Sequence, residues 1–243
     1  MQEAHLLDLH QIRETWFQAD VDGQLLEQAR CLVLDLPASY DEYVATLGKS
    51  LRYDVKKLDR LVASDDSVSI RSVTEETLTE AMDSFFRLHR LRWRKRLQPG
   101  AFSAKAEAFH REWSQKALKN GWLWMSTMEV DSLAVGSIYA MRLGDACFFY
   151  QAGFDPTAKA LSPGTLLVAS TIRRSIEKGL KHFDFLRGAE AYKRRWKPQH
   201  EYRNLRLILS RPGMQGNFGA AWNNRCHEVE MKVRERLEGK SLL

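Results

Sequence analysis

The part of the chain that most constrains its fold is residues 121–154, where apolar residues alternate with period two in three successive segments. GWLWMSTMEV, LAVGSIYAMRL and ACFFYQAGF are separated by Asp-Ser and Gly-Asp turn signals, which predicts an antiparallel meander. A helix that starts near Ser162 or Pro163 and ends at Gly179 comes next, and KHFDFL follows it as a strand. Because strand, helix and strand in this order form a right-handed crossover between parallel neighbours, we expect a mixed, mostly antiparallel sheet.

Helices flank the predicted strands in the sequence, so the predicted fold class is α+β. Before the meander the pattern predicts a strand at VSIRSV and two helices, one ending near Arg94 and one running from Ser103 to Lys119. After the crossover it predicts a short helical turn at AYKRRW, a last strand at YRNLRLILS and a C-terminal helix over about 217–237. Residues 1–30 are predicted to be mainly helical, and CLVLDL after them to be a strand.

A basic amphipathic helix is predicted between CLVLDL and VSIRSV. Ser39 with Glu42 three residues later forms a capping box, and SYDEYVATLGKSLRYDVKKLDRL then places apolar residues on one face. Much of the remaining circumference is basic: Lys49, Arg52, Lys56, Lys57 and Arg60. The pattern fits either a surface helix with a solvated charged face or a helix that faces phosphate groups or a membrane surface.

Composition excludes several classes of protein. No apolar run approaches the roughly 18 residues of a membrane span, and the N-terminus lacks a basic segment followed by an apolar one. We therefore expect a cytoplasmic protein with at most peripheral membrane contact. Three distant cysteines without CxxC spacing predict neither a metal site nor a disulfide framework. The net charge of +6 favours an anionic partner, which could be a phosphate-bearing cofactor, nucleic acid or a membrane surface.

The loop before the 162–179 helix has the features of a phosphate site. A helix N-terminus offers unpaired backbone N–H groups and the positive end of the helix dipole. Within GFDPTAKALSPGTLL, Gly164 permits close approach, Thr165 adds a hydroxyl and Lys159 adds a charge. The alternative is that Ser-Pro-Gly only starts a helix.

The segment FDFLRGAEAYKRRW, residues 183–196, combines an apolar strand with a basic aromatic turn. Asp184 lies inside the strand, where a carboxylate needs a partner, and Arg187 or Lys193 could pair with it. Asp184 could instead act on an acceptor amine, and the two basic residues could instead hold a phosphate. Gly188 is the point where the chain can turn out of the sheet.

His89 and Trp93 lie four residues apart on one helix face, with Arg92 beside them. They either pack in the core or line an acceptor pocket, where His89 could serve as a base and Trp93 could stack on a sugar. Glu129 is a second candidate base, with solvation at its turn as the alternative. His110 has no visible partner, so we expect a structural role for it.

Four stretches in this order, LHRLRW, YQAGFDP, LSPG and FDFLRGAEAYKRRW, resemble the GNAT-related acetyltransferase domain of CelD-type cellulose and exopolysaccharide biosynthesis proteins. These proteins are kin to FemA/FemB-like transferases. The resemblance covers about residues 35–210. It implies a GNAT-like acyl-CoA N-acyltransferase fold, with acyl-CoA (acetyl-CoA) as co-substrate and no metal.

The resemblance also implies roles for particular residues. In that fold a backbone N–H near residues 151–154 usually meets the thioester carbonyl, and a Tyr after the fifth strand often protonates the departing thiolate, which points to Tyr192. The alternative is that Tyr192 only packs beside Trp196. His89 and Asp184 join Tyr192 as candidate catalytic residues, while Trp93, Arg92 and Arg187 are candidates for acceptor binding. The candidate residues for cofactor binding are Gly153, Phe154, Ser162, Pro163, Gly164, Thr165 and Lys193.

The expected function is N-acyl transfer to a small-molecule or saccharide acceptor, such as an amino sugar or a polysaccharide precursor. Two alternatives remain open: transfer from aminoacyl-tRNA, as in FemA/FemB-like enzymes, and a non-catalytic remnant that binds nucleic acid or a partner through YKRRWKPQHEYR. No RNA- or DNA-binding motif is visible, so no specific nucleic acid is expected. We expect an N-terminal extension over 1–66, as a remnant of or link to an absent N-terminal half, the acyltransferase domain over 67–212, and a C-terminal helix over 213–243.

Overall fold

The computed structural model describes residues 6–16, 23–94, 102–211 and 213–240, and within them eight strands and seven helices. The strands are β1 (Leu6–Arg13), β2 (Gln24–Asp35), β3 (Val68–Ser72), β4 (Leu123–Val130), β5 (Leu133–Leu143), β6 (Ala146–Phe154), β7 (His182–Arg187) and β8 (His200–Ser210). The helices are α1 (Tyr40–Thr46), α2 (Lys49–Ser64), α3 (Leu78–Arg94), α4 (Ala104–Lys119), α5 (Pro163–Glu177), α6 (Ala191–Arg194) and α7 (Met214–Lys240). The chain divides into two compact units: a central unit, Leu34–Asp184, and a terminal unit formed by the residues before and after it.

The central unit contains the meander and the crossover. Strands β3, β4, β5 and β6 pair in chain order as antiparallel neighbours, and β7 pairs parallel with β6 after the intervening α5. The predicted meander and parallel pair are therefore confirmed, and so is the mixed, mostly antiparallel α+β fold class. The local signals succeed here because turn residues and period-two alternation agree along the whole segment.

Helices cover both faces of the central strands. On one face, α3 and α4 share a buried cluster with β4 and β5, in which the rings of Phe85 and Tyr139 meet edge to face with centroids 5.4 Å apart. On the other face, a Cβ built on Gly136 would lie 2.9 Å from Pro163 Cβ and 3.0 Å from Leu167 Cδ1, so α5 approaches β5 closely there. Gly136 and Tyr139 are three residues apart on one strand and point in opposite directions.

The predicted basic helix is divided into α1 and α2. Ser39 Oγ accepts a hydrogen bond from the N–H of Glu42, which confirms the predicted cap. The helix then breaks because Leu47 and Gly48 take extended ψ angles of 149° and 148°. Along α2 the apolar and basic positions separate as predicted: Leu51 and Val55 are buried, whereas Lys56, Lys57 and Arg60 are exposed.

The prediction of helix for residues 1–30 is wrong. Apart from a single 3₁₀ turn at Glu14–Trp16, the secondary structure among the described residues of that range is strand, with β1 and β2 both pairing antiparallel with β8. The apolar spacing in β1 fits a helix or a strand, and β8 provides hydrogen-bonding edges for both strands, so long-range pairing decides. Asp8 adds a cross-strand pair, accepting hydrogen bonds from Arg206 at 2.8 and 2.6 Å. Residues 17–22, inside the range predicted to be helical, lie outside the described residues.

The C-terminal helix is confirmed as α7, which contacts β1 and β8 within the terminal unit. At Gly219 a Cβ would lie 3.7 Å from a methyl carbon of Leu6, an ordinary contact distance. No helix in the described part of the chain combines the length and the hydropathy needed to cross a membrane. The boundaries 1–66, 67–212 and 213–243 stay a prediction.

Candidate functional site

Leu88 and His89, in the C-terminal half of α3, lie against the end of β6 at Gly153. A Cβ built there would lie 2.5 Å from the backbone N of His89 and 2.8 Å from the carbonyl carbon of Leu88. Real Cβ atoms do not approach helix backbone this closely, so glycine is needed for the packing itself. The strand segment expected to hold a thioester carbonyl is therefore fixed against α3.

Two of the three predicted residues of α3, His89 and Arg92, contact this strand end, and Trp93 contacts His89. Arg92 Nη1 donates a 2.9 Å hydrogen bond to the carbonyl oxygen of Ala152. Its guanidinium carbon lies 5.0 Å from the centre of the Phe154 ring. The rings of His89 and Trp93 lie 5.8 Å apart between centroids. The structure thus brings the predicted α3 residues together with the predicted cofactor residues of β6.

His89 is only 1% exposed and lies between aromatic rings, 4.8 Å from Phe102 and 6.1 Å from Phe85 between centroids. Burial, assisted by the positive charges of Arg92 and Arg90, lowers the pKa of His89 to about 4. The imidazole is therefore neutral near pH 7, and its Nε2 has no hydrogen-bond partner among the described residues. A pKa this low makes His89 a weak proton acceptor, so the electrostatics favour a hydrogen-bonding role over that of a general base.

The loop between β6 and α5 is stabilised by its own polar groups. Asp155 Oδ1 accepts hydrogen bonds from the N–H and the hydroxyl of Thr157 at 2.8 and 2.7 Å. A 3₁₀ helix, Pro156–Leu161, follows, and Ser162 with a φ of 45° links it to α5. The Ser162 carbonyl accepts the N–H groups of Thr165 and Leu166, whereas its exposed side chain makes no capping hydrogen bond.

The first turn of α5 lies next to the end of β6. A Cβ on Gly164 would lie 3.6 Å from the Phe154 ring, which is ordinary contact. Pro163 has no N–H to satisfy, and the N–H of Gly164 falls in the first helical turn, where no preceding carbonyl of the helix can accept it. Most of the predicted cofactor residues, Phe154, Ser162, Pro163, Gly164 and Thr165, therefore lie together at a helix end that favours anions.

Lys193, another predicted cofactor residue, belongs to the terminal unit and is only 3% exposed. Its ammonium group contacts the carbonyl oxygens of Arg187 and Gly188 at 2.7 and 3.0 Å and the Glu190 carboxylate at 2.9 Å. These contacts match the three donors of an ammonium group, so a phosphate would have to compete with them. Gly188 has a φ of 101°, which allows the turn out of β7 that the sequence predicts.

The remaining predicted residues are divided between the units. Asp184 is the last residue of the central unit and is 2% exposed, as expected for a position inside an apolar strand. Arg187 and Tyr192 belong to the terminal unit, where Tyr192 is 38% exposed and the nearby Trp196 is buried. The exposure of Tyr192 fits a phenol that reaches a ligand better than one that only packs. The roles of these residues at one site stay predictions.

Sequence reasoning missed a cluster around His110. Its two ring nitrogens lie 3.4 Å from Tyr139 Oη and 3.2 Å from Tyr150 Oη, so the expectation that it lacks a partner is wrong. Both tyrosines are visible in predicted strands, but only strand register and helix placement show that they meet α4. Glu129, the second candidate base, lies 3.5 Å from Arg71 Nε on β3.

The described side chains include no group of three or more His, Cys, Asp or Glu residues that could hold a metal ion. None of the three cysteines forms a disulfide: Cys31 and Cys147 are buried, and Cys226 is exposed.

Comparison with known proteins gives a family match and similar structures. Residues 49–194, more than half of the chain, match a family model described as an acetyltransferase (GNAT) domain. No curated protein matches the sequence. The C-terminal domain of a putative lysylphosphatidylglycerol synthetase from Agrobacterium fabrum is similar with a TM-score of 0.58 and 15% identity, covering 82% of this chain and 67% of that chain. FemX is similar with a TM-score of 0.56 and 8% identity, covering 73% of this chain and 62% of that chain. The chain spans about two thirds of the length of these structures. The TM-scores show a shared fold, and at identities this low the similarity shows the fold alone.

Proposed function

The chain belongs to the acetyltransferase (GNAT) domain family, and we propose that it transfers an acyl group from acyl-CoA to an amino group of a small-molecule or saccharide acceptor. The observation that carries the proposal is the junction of β6 and α5. There a strand end held against α3 at Gly153 is followed by a helix whose first turn contains Gly164 and Thr165. One short stretch of chain would thus serve both the thioester and the phosphates of the donor.

The donor would be held by backbone and hydroxyl groups more than by charge. The N–H of Gly164 and the hydroxyls of Ser162 and Thr165 would bind pyrophosphate oxygens at the positive end of α5. Lys159, exposed in the preceding 3₁₀ helix, would add attraction at longer range. A backbone N–H near residues 151–154 would polarise the thioester carbonyl.

The reaction requires three things of the protein: polarisation of the thioester carbonyl, removal of a proton from the amine and protonation of the departing thiolate. The acceptor nitrogen attacks the thioester carbon, forming a C–N bond while the C–S bond breaks, so one proton leaves the amine and one joins the thiolate. Tyr192 would supply the thiolate proton. His89 would offer its buried Nε2 to the acceptor, and Arg92 and Trp93 would line the acceptor pocket beside it. Asp184 would accept a hydrogen bond from the acceptor amine, and Arg187 would bind a polar group of the acceptor.

The resemblance to CelD-type proteins points to an amino sugar or a polysaccharide precursor as the acceptor. Trp93 supports this class, because a tryptophan face stacks on a sugar ring. A role in cell-envelope or exopolysaccharide biosynthesis in the cytoplasm follows as part of the same proposal.

Calorimetric titration with acetyl-CoA tests the donor site. Lys159→Glu should weaken binding and make it less dependent on salt, because it reverses a charge near the proposed phosphates. Lys49→Glu is the matched control, with the same charge reversal at an exposed lysine on α2, and should bind almost as the wild type does. Equal weakening in both variants would show that only net charge matters, and no binding in the wild type would contradict the proposal.

Release of free CoA thiol in the presence of amino sugars and simple amines tests the transfer itself. Tyr192→Phe should lower turnover while leaving acetyl-CoA affinity nearly intact, because only the proton donor is removed. Unchanged turnover would show that the thiolate takes its proton from another group.

Aminoacyl-tRNA is a second candidate donor. The fold similarity to FemX and the net charge of +6 favour this alternative over the nucleic-acid-binding remnant, because both fit an anionic donor on a transferase fold. Incubation with tRNA charged with a labelled amino acid, in parallel with labelled acetyl-CoA, separates the two donors by the label that reaches the acceptor. Binding of uncharged oligonucleotides with neither transfer would instead support the remnant.

A further inference from the structure

Three side chains of the central unit form a hydrogen-bonded chain that none of the roles above uses. Tyr150 Oη lies 3.2 Å from His110 Nε2, and Tyr139 Oη lies 3.4 Å from His110 Nδ1. Tyr139 on β5 is fully buried, His110 on α4 is partly exposed, and Tyr150 on β6 is 39% exposed. The chain therefore runs from the interior of the unit to its surface.

A β-bulge places Tyr150 in this chain. The register between β5 and β6 shifts between Tyr139 and Ala140, which leaves Tyr150 as the extra residue on β6. With regular alternation, a residue next to Gln151 would face the opposite side of the sheet. The bulge instead brings the Tyr150 ring to 5.4 Å from Tyr139 and 5.2 Å from His110 between centroids. Tyr150 also directly precedes residues 151–154, where the thioester carbonyl is expected.

The electrostatics of the cluster determine where its protons lie before the reaction. Burial lowers the pKa of His110 and raises the pKa of both Tyr139 and Tyr150, so a neutral imidazole lies between two protonated phenols. Such an imidazole can accept the Tyr150 O–H at Nε2 while it donates Nδ1–H to Tyr139 Oη. On the same two helices Glu107 pairs with Arg90 and Asp83 with Arg111, Arg92 donates to the Ala152 carbonyl, and burial keeps His89 neutral.

We propose that the hydrogen-bonded series Tyr150–His110–Tyr139 removes the proton from the acceptor amine, an inference that rests on the proposed function. As the C–N bond forms, the amine proton passes to Tyr150 Oη and the Tyr150 proton passes to His110 Nε2. The C–S bond breaks, the thiolate takes the Tyr192 proton, and solvent returns the proton from His110 to Tyr192, so protons and charge balance. Tyr139 holds the imidazolium through Nδ1–H. Tyr150 is then a catalytic residue, and His110 is a positioning residue that acts through it.

Thiol-release kinetics over a range of pH test this assignment with Tyr150→Phe, His110→Gln and the control Tyr53→Phe, which alters an exposed tyrosine on α2. Tyr150→Phe should lower kcat by about 100-fold or more, the usual loss for a general base, with little change in KM. His110→Gln should also remove the acid limb of the kcat/KM profile, because no imidazole is left to titrate; burial lowers the pKa of His110, so this limb lies below the ordinary histidine range. Tyr53→Phe should match the wild type. Melting temperatures and acetyl-CoA affinities check that the variants fold.

Two results separate failure of this inference from failure of the proposed function. If the wild type releases thiol and Tyr150→Phe keeps its kcat, the relay is wrong while N-acyl transfer stands; if the wild type transfers no acyl group to any amine, both are wrong. Nitrogen-15 NMR of His110 in the wild-type protein adds a test that needs no variant. The relay predicts a proton on Nδ1 and a bare, accepting Nε2, and the opposite tautomer would overturn it.

Discussion

Substitution of Gly153 by alanine tests the contact on which the candidate site depends. The new Cβ would lie 2.5 Å from His89 N, 2.8 Å from Leu88 C and 3.0 Å from His89 Cα, and all three are backbone atoms of α3. A helix backbone cannot move aside as a side-chain tip can, so β6 and α3 must separate. Overpacking of this kind costs about 1–3 kcal/mol in the free energy of unfolding. For a chain of this size that corresponds to a fall of about 2–12 °C in melting temperature.

Gly164→Ala is the matched control for this substitution. Its Cβ would meet only the Phe154 ring at 3.6 Å, and alanine in a helix is favoured over glycine by up to about 1 kcal/mol. Calorimetric melting should therefore show a clear loss of stability for Gly153→Ala and little change or a small gain for Gly164→Ala. If Gly153→Ala melted within about 1 °C of the wild type, the close approach of β6 to α3 would be wrong.

Three further predictions concern stability. Gly188→Ala should lower the free energy of unfolding in urea by about 1 kcal/mol or more, because a φ of 101° is strained for alanine. Gly48→Ala is its control and should change that free energy much less, because Gly48 has a negative φ and its Cβ would meet nothing within 4 Å. The folded state holds the pKa of His89 near 4, below the ordinary 6.5, so the unfolded state takes up a proton first as the pH falls. The stabilisation by neutral His89 is therefore complete above pH 6.5 and is lost as the pH falls to 4. The loss is about 3 kcal/mol, and His89→Gln should flatten the unfolding free energy over that window. Hydrogen bonding to Arg206 holds the pKa of Asp8 below its usual 3.8, so Asp8 stabilises the fold above that pH, and Asp8→Asn should reduce the acid dependence of melting below pH 4.

The elements that the sequence predicts well are those with local signals. The meander of β4, β5 and β6 follows from alternation and turn residues within 34 consecutive positions, 121–154. Ser39 accepts the capping hydrogen bond expected of it, and Ser103 caps the helix that was predicted to begin there. The strand β1 could not be predicted in the same way, because its partner β8 begins at His200 and only their pairing distinguishes a strand from an amphipathic helix.

In the candidate site, too, the features with local signals are predictable and those that depend on distant contacts are not. The proximity of His89 and Trp93 follows from their four-residue spacing on α3. The contact of Gly153 with α3 depends on the approach of two distant segments, and the position of Tyr150 depends on a one-residue shift in strand register. Neither feature produces a local sequence pattern. The partners of His110 could therefore not be seen in the sequence.

A crystal structure of the protein with acetyl-CoA is the most direct test of the proposed acyl transfer. The proposal predicts a pyrophosphate oxygen about 2.9 Å from the backbone nitrogen of Gly164, with the thioester carbonyl beside residues 151–154. Absence of CoA at saturating concentration, or phosphates bound to the basic face of α2 with the first turn of α5 unoccupied, would contradict it.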